Sequence, residues 1–181
     1  MIRALQFSDL ENVKAFTDRW IGENYYSISE LKEGLEFSQK GHLTASLVAV
    51  EKQELVGVRL TYAPGNWTKK AKGISPQLWR VSEQMVGYFK SLFIHEDFQK
   101  KGIGRELSLR SMEILKEMGA KAIICHSWLE SPGNSSQIYL RKMGFEEVAR
   151  HEKFWFPIDY HCTRCGPERC ICTAVEMIKF L

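Results

Sequence analysis

Apolar positions follow one another in two rhythms that divide the chain into short strands and helices. Residues 2–7 read as a short strand, and Ser8 or Asp9 then offers a cap for a helix on which Leu10, Val13, Phe16 and Trp20 recur at helical spacing. A second helix is predicted to start near Ser29, with Leu31, Leu35 and Phe37 inward and Gly41 after it. Residues 45–50 and 54–62 are rich in Val and Leu and are joined by the polar Glu51-Lys52-Gln53, the pattern of an antiparallel hairpin. Residues 63–82 carry Pro64, Gly65, Gly73 and Pro76 among Trp67, Leu78 and Trp79, which predicts a loop or broken helical insertion. Loops of that length are often functional, so this one is expected to cover a binding site. A strand over 84–94, a helix over 102–118 ended by Gly119, a strand over 121–128 and a helix over 135–143 stopped by Gly144 follow. Strands near 146–156 and 173–180 complete the pattern. Strands that alternate with helices imply parallel pairing and the hairpin implies antiparallel pairing, so the class is α/β (α+β) with a mixed sheet.

The chemistry concentrates between the strand at 84–94 and the helix after it. Leu92-Phe93-Ile94-His95-Glu96-Asp97-Phe98-Gln99-Lys100-Lys101-Gly102-Ile103-Gly104-Arg105 passes from strand to helix through one glycine-punctuated bend. A helix N-terminus leaves backbone N–H groups unpaired and partly positive, which favours an anion. Gly102 and Gly104 remove side chains that would keep a phosphate away from the backbone. Lys100, Lys101 and Arg105 add positive charge at the same point. The spacing is not that of the ATP-binding P-loop, and Leu107 stands where the dinucleotide fingerprint needs a third glycine.

These residues resemble the signature of the GNAT superfamily of N-acetyltransferases: a strand end, an acidic bend, then Gln/Arg-x-x-Gly-x-Gly/Ala, filled here by Gln99, Gly102 and Gly104. The Gly144-Phe145 pair after a late helix belongs to the same resemblance, which extends to the order of elements over nearly the whole chain. It implies a mostly antiparallel central sheet with one parallel pair, flanked by helices. It also implies acetyl-coenzyme A as cosubstrate, with its pyrophosphate on the backbone from Gln99 through Lys100, Lys101, Gly102 and Ile103 to Gly104 and Arg105. The pantetheine arm would pair with Leu92, Phe93 and Ile94 as an added strand, and the backbone N–H near Ile94 would be the oxyanion donor.

The remaining catalytic parts match the family less closely. The tyrosine of the resemblance falls at Leu140, and Tyr139 lies one residue earlier, about 100° away around a helix. The related asparagine falls at Gly133, with Asn134 beside it. Tyr139 is therefore the candidate acid and Asn134 a candidate coenzyme contact. Glu83, Tyr88, Lys90, Ser91, His126 and Ser127 are the titratable or polar residues near the central strands, with Glu83 as candidate base; proton transfer through water is the alternative. Cys125 reads as a buried strand residue.

Cys162, Cys165, Cys170 and Cys172 crowd into one segment as Cys-x2-Cys followed by Cys-x-Cys, with Gly166-Pro167 turning the chain between them. Such spacing brings four thiolates to one tetrahedral metal, and structural zinc is the expected occupant. Reduced thiols, or a disulfide formed on oxidation, are the other reading.

Composition narrows the class further. The 181 residues suit a single domain over 1–181, with an insertion at about 63–82 and a Cys-rich segment at 161–172. Hydrophobic residues at 44% and charged residues at 26% belong to a globular chain. A net charge of +3 is too small to point to nucleic acid. No apolar run is long enough for a membrane span, and no signal peptide is read, so the cytoplasm is the expected location. The expected partner is a small-molecule or peptide amine, with no nucleic acid and no membrane; a homodimer is left open. The function expected is acetyl transfer to a primary amine by direct attack in a ternary complex. An acyl-coenzyme A-binding module without turnover, or a zinc-ribbon nucleic-acid protein using Lys69, Lys70 and Lys72, are the alternatives.

Overall fold

The computed structural model describes residues 1–20, 22–65 and 67–181, without the side chains of Trp20 and Lys70. The inward position expected of Trp20 and the basic role considered for Lys70 therefore lie outside the described residues. In chain order the elements are β1 (Ile2–Ala4), α1 (Leu10–Trp20), α2 (Ile28–Phe37), β2 (Gln39–Lys40), β3 (Leu43–Thr44), β4 (Leu47–Glu51), β5 (Glu54–Tyr62), β6 (Val86–Ile94), α3 (Ile103–Glu117), β7 (Ala122–Trp128), α4 (Ser135–Lys142), β8 (Glu146–His151) and β9 (Ala174–Phe180). Seven strands form one sheet in the order β1-β4-β5-β6-β7-β9-β8, and β2 and β3 make a small hairpin outside it. Only β6 and β7 pair in parallel within that sheet; its other neighbours are antiparallel.

Local chemistry sets several boundaries apart from the pattern-based ones. The first strand stops at Ala4, because Asp9 turns back to accept from Gln6 N at 2.9 Å and to pair with Arg3 at 2.6 Å. The second helix begins one residue earlier than expected. Ser27 Oγ accepts from Glu30 N at 3.1 Å while Glu30 Oε2 accepts from Ser27 N at 2.8 Å, a reciprocal cap. Strand β8 ends at His151, five residues short of the predicted limit, where the chain turns toward the cysteine segment.

Side-chain alternation divides the sheet into two buried faces. On one, Val58, Leu60 and Phe93 pack against Val13, Phe16, Leu31 and Leu35 of α1 and α2. On the other, Phe89, Cys125 and Met177 pack against Met112 and Leu115 of α3 and Leu140 of α4.

The insertion is a packed cap, and none of its described residues lines the two cavities described below. Trp67 and Trp79 are 2% and 0% exposed and lie on Val86, Tyr88, Ile124 and Ile178. Trp67 Nε1 donates to Val86 O at 2.9 Å. Glu176, fully buried on β9, accepts from Trp79 Nε1 at 2.5 Å, from Ser75 N at 3.1 Å and from His151 Nε2 at 2.8 Å. Burial pushes its carboxyl up, but these hydrogen bonds outweigh it and hold the pKa below the usual range. In place of the expected cover over a binding site, the described residues of the insertion have a structural role, burying Trp67 and Trp79 on the sheet.

Candidate active site

The sheet opens where β6 and β7 part. Their pairing runs from Val86–Ala122 to Phe89–Cys125 and goes no further, while β7 continues against β9 as far as Trp128. A bulge opposite Leu60 and Thr61 leaves Lys90 as an extra residue at the parting. Beyond it β6 stays paired with β5. His95 N donates to Val56 O at 2.9 Å, so in the alternating antiparallel ladder Leu92 and Ile94 turn their N–H and C=O groups away from β5. They face the open side, where an extended ligand can take the place of a strand.

A cavity of about 400 Å³ fills the opening. Arg59, Phe89, Leu92, Cys125 and Tyr139 line it toward α3 and α4; Tyr25, Lys90, His126, Trp155 and Tyr160 line it toward the other face. A second cavity of about 270 Å³ lies at the N-terminus of α3. It is bounded by Leu92, Ile94, Phe98, Gln99, Lys100, Gly102, Ile103, Gly104, Arg105 and Tyr139. Leu92 and Tyr139 therefore stand between the two spaces.

Most of the predicted anion turn converges on the second cavity. Lys100 and Gly102 are left-handed, at φ 61° and 84°, a reversal of the kind that turns successive N–H groups toward an anion. Gln99 Nε2 donates to Ile94 O at 3.1 Å and ties the turn to the strand end. Gly104 keeps the floor open, since a Cβ there would stand 3.3 Å from Leu92 Cδ2 and 3.4 Å from Ile94 Cγ1. Three predicted residues stay outside. Phe93 belongs to the larger cavity and the α1–α2 core. Lys101 is exposed, with its Nζ 4.8 Å from the centre of the Phe98 ring. Asn134 is exposed and left-handed at the α4 cap, and beside it Ser131, Ser135 and Ser136 line the larger cavity.

The structure separates the catalytic candidates. Leu140 packs into the core, whereas the Tyr139 hydroxyl donates to Gly104 O at 3.0 Å and lies 2.7 Å from Ser108 Oγ. Glu83 is exposed in a short 3-10 turn ahead of β6 and lines neither cavity. His126 lines the cavity, but both ring nitrogens are engaged. Nε2 lies 2.6 Å from the Gly73 carbonyl, which can only accept, so Nε2 carries the proton and Nδ1 accepts from Tyr88 OH at 2.8 Å. Burial pushes its pKa down to about 4. Burial raises the Cys125 thiol, which suits a packed side chain rather than a nucleophile.

Some site residues escape the sequence pattern. Arg59 is 3% exposed on β5, with Nη2 donating to Ser108 Oγ at 2.8 Å; its signal is a lone cation in the apolar run Val58-Arg59-Leu60. Tyr25 bridges the cavity mouth by accepting from Trp155 Nε1 at 3.1 Å, and burial raises its pKa to about 12.

The four clustered cysteines lie between β8 and β9 and bound one end of the larger cavity through Tyr160, Cys162 and Thr163. Their sulfurs all lie within 4.8 Å of one another. Cys165–Cys172 and Cys162–Cys170 are each 3.6 Å apart. A disulfide is about 2.0 Å long. The edge of a tetrahedron with zinc–sulfur bonds of about 2.3 Å is about 3.8 Å. The arrangement therefore has the size of a four-thiolate metal site.

Comparison with known proteins places the chain in a family. The model of the acetyltransferase (GNAT) family matches residues 10–145. An uncharacterized N-acetyltransferase of Chlorobaculum tepidum is 34% identical over 94 residues, 51% of this chain and 54% of that protein, so the match spans about half the length of this curated relative. Among solved structures, Ard1 from Thermoplasma volcanium superimposes with a TM-score of 0.72 at 13% identity, covering 100% of this chain and 97% of that one. A ribosomal-protein-alanine N-acetyltransferase from Brucella melitensis gives 0.69 at 17% identity, covering 100% and 99%. The NatC complex bound to Gag peptide and coenzyme A gives 0.70 at 14%, covering 100% and 98%. These structural likenesses concern the fold.

Proposed function

Because the chain belongs to the GNAT acetyltransferase family, we propose that it transfers the acetyl group of acetyl-coenzyme A directly to a primary amine bound in the larger cavity. The observation that carries this reading is the parting of β6 and β7, with an anion turn at one end of the gap and an open, aromatic-lined pocket at the other. The pyrophosphate lies on the turn from Gln99 to Arg105, and the pantetheine arm runs along Leu92 and Ile94 toward Tyr139. The amine enters from the side of Tyr25, Trp155 and Tyr160. That the NatC structure holds a peptide and coenzyme A together supports a ternary arrangement.

In this arrangement the amine nitrogen attacks the thioester carbonyl. The Ile94 N–H, which faces the open side, takes the developing oxyanion. The carbon–sulfur bond breaks with its electron pair on sulfur, and the Tyr139 hydroxyl supplies a proton to the thiolate. The amine proton passes to water, since both nitrogens of His126 are engaged and, among the described residues, no carboxylate lines the cavity.

The cysteine cluster holds a structural zinc in this reading. Four thiolates leave no open position for catalysis, so the metal braces the wall of the amine pocket. Metal analysis of the purified protein should find about one zinc per chain; a folded, active protein without metal would contradict it. Turnover with a panel of peptide N-termini, amino acids and small amines, read by mass spectrometry of the acetylated product, tests the transfer reaction. Binding of acetyl-coenzyme A with no product from any amine would contradict it.

A further inference from the structure

Arg59 presents a buried positive charge with no negative partner among the described residues. It faces Leu92 across the β5–β6 ladder, and only 3% of it is exposed. Its Nη2 donates to Ser108 Oγ, its Nε has no hydrogen-bond partner, and its guanidinium carbon lies 4.0 Å from the centre of the Phe89 ring. No carboxylate is among the groups that act on it; besides burial these are Tyr139 and Cys125. Guanidinium groups stay charged even when burial lowers their affinity for the proton. Burying one without an anion is costly, so an arginine held this way fits a site where an anion arrives.

Arg59 lines the larger cavity together with Leu92 and Tyr139, the two residues shared with the cavity at the anion turn. If the acetyl-transfer reading holds, an anion forms at that junction in each turnover. The amine nitrogen bonds to the acetyl carbon, the carbon–sulfur bond breaks, and sulfur keeps the electron pair. We propose that Arg59 is the counter-charge of this departing coenzyme A thiolate. Ser108 links the two groups. Its Oγ accepts from Arg59 and lies 2.7 Å from the Tyr139 hydroxyl, and both hydroxyls reach Gly104 O. The same charge thus supports the tyrosine oxygen while its proton moves to sulfur, and the tyrosine later recovers a proton from water.

The test compares three ligands: coenzyme A, acetyl-coenzyme A and desulfo-coenzyme A, which lacks the thiol. Affinities are measured between about pH 6 and about pH 9, spanning the thiol's ordinary pKa of about 8.5, on wild type, Arg59→Met and Arg59→Lys. Wild type should favour coenzyme A over the desulfo compound increasingly as pH rises, with thiolate absorbance from the bound ligand at a pH where free coenzyme A is a thiol. Arg59→Met should lose this preference by about tenfold or more, equivalent to one pKa unit of the bound thiol. It should keep its affinity for acetyl-coenzyme A and the desulfo compound within about twofold. Arg59→Lys should keep part of the preference, which guards against a Met variant that does not fold. A uniform loss for all three ligands would mark Arg59 as a packing residue and overturn the proposal, as would an unchanged preference in both variants. A folded wild type that binds none of the three would remove the acetyltransferase reading, and this proposal with it.

Discussion

Glu176 offers the sharpest test of how the insertion is held. Replacing it with Ala leaves the buried Trp79 indole N–H and Ser75 N–H without an acceptor and deprives His151 of a partner. Each unsatisfied buried donor costs about 1–3 kcal/mol. With the lost volume the sum is roughly 3–8 kcal/mol, a large part of the 5–15 kcal/mol typical of a domain. Glu176→Gln keeps an oxygen for Trp79 and Ser75 and loses only the charge-assisted bond with His151, so it should cost about 1–2 kcal/mol. The sign with pH follows from the depressed carboxyl. Its contribution is present above the unfolded value of about 4.3 and is lost as pH falls through the folded one. The gap between wild type and Glu176→Gln should therefore close in acid. Urea unfolding followed by tryptophan fluorescence, at neutral pH and below pH about 4, measures both quantities. An Ala variant within about 1 kcal/mol of wild type, or a Gln variant as damaged as Ala, would refute the reasoning.

Three further outcomes are expected. His126 has a pKa of about 4 when folded against an ordinary 6.5, so the unfolded chain takes its proton first and stability falls as pH drops through that window. His126→Gln should flatten the stability–pH slope there by about one proton, and an unchanged slope would show that the imidazole is not held neutral. Tyr139→Phe should lower kcat by about a hundredfold or more while barely moving the KM for acetyl-coenzyme A; an unchanged kcat removes it as the acid. Cys170→Ser should lose bound zinc, lower Tm by roughly 5–15 °C and raise the KM for the amine more than that for acetyl-coenzyme A, whereas a variant matching wild type in metal content and Tm would contradict the bracing role.

What the sequence makes legible is local. The turn from Gln99 to Arg105 can be read because its residues lie a few positions apart and most of them converge on one cavity, and the helix expected over 102–118 is present as Ile103–Glu117. The cysteine segment is legible for the same reason. Distant partners are not. Ser75 and Trp79 meet Glu176 across 101 and 97 residues, so nothing near either tryptophan tells a lid from a packed cap. The Gln39–Thr44 hairpin has two residues per strand, too few for any periodicity. Tyr139 and Leu140 differ by one position on α4, and only packing settles that Leu140 enters the core while Tyr139 reaches Gly104. Glu83 misled because adjacency to β6 in sequence says nothing about which end of the strand opens.

The most direct test of acetyl-coenzyme A use is calorimetric titration of wild type beside Gly104→Glu. Position 104 lies in the first turn of α3 without positive φ, so a glutamate suits the helix and its dipole there, and the fold should survive. Its side chain would crowd Leu92 and Ile94 and set a negative charge where the proposed function puts the pyrophosphate. Micromolar binding by wild type, lost by about a hundredfold or more in the variant at similar Tm, is the expected result. Equal binding by both, or none by a folded wild type, would contradict the claim that this turn holds the cosubstrate.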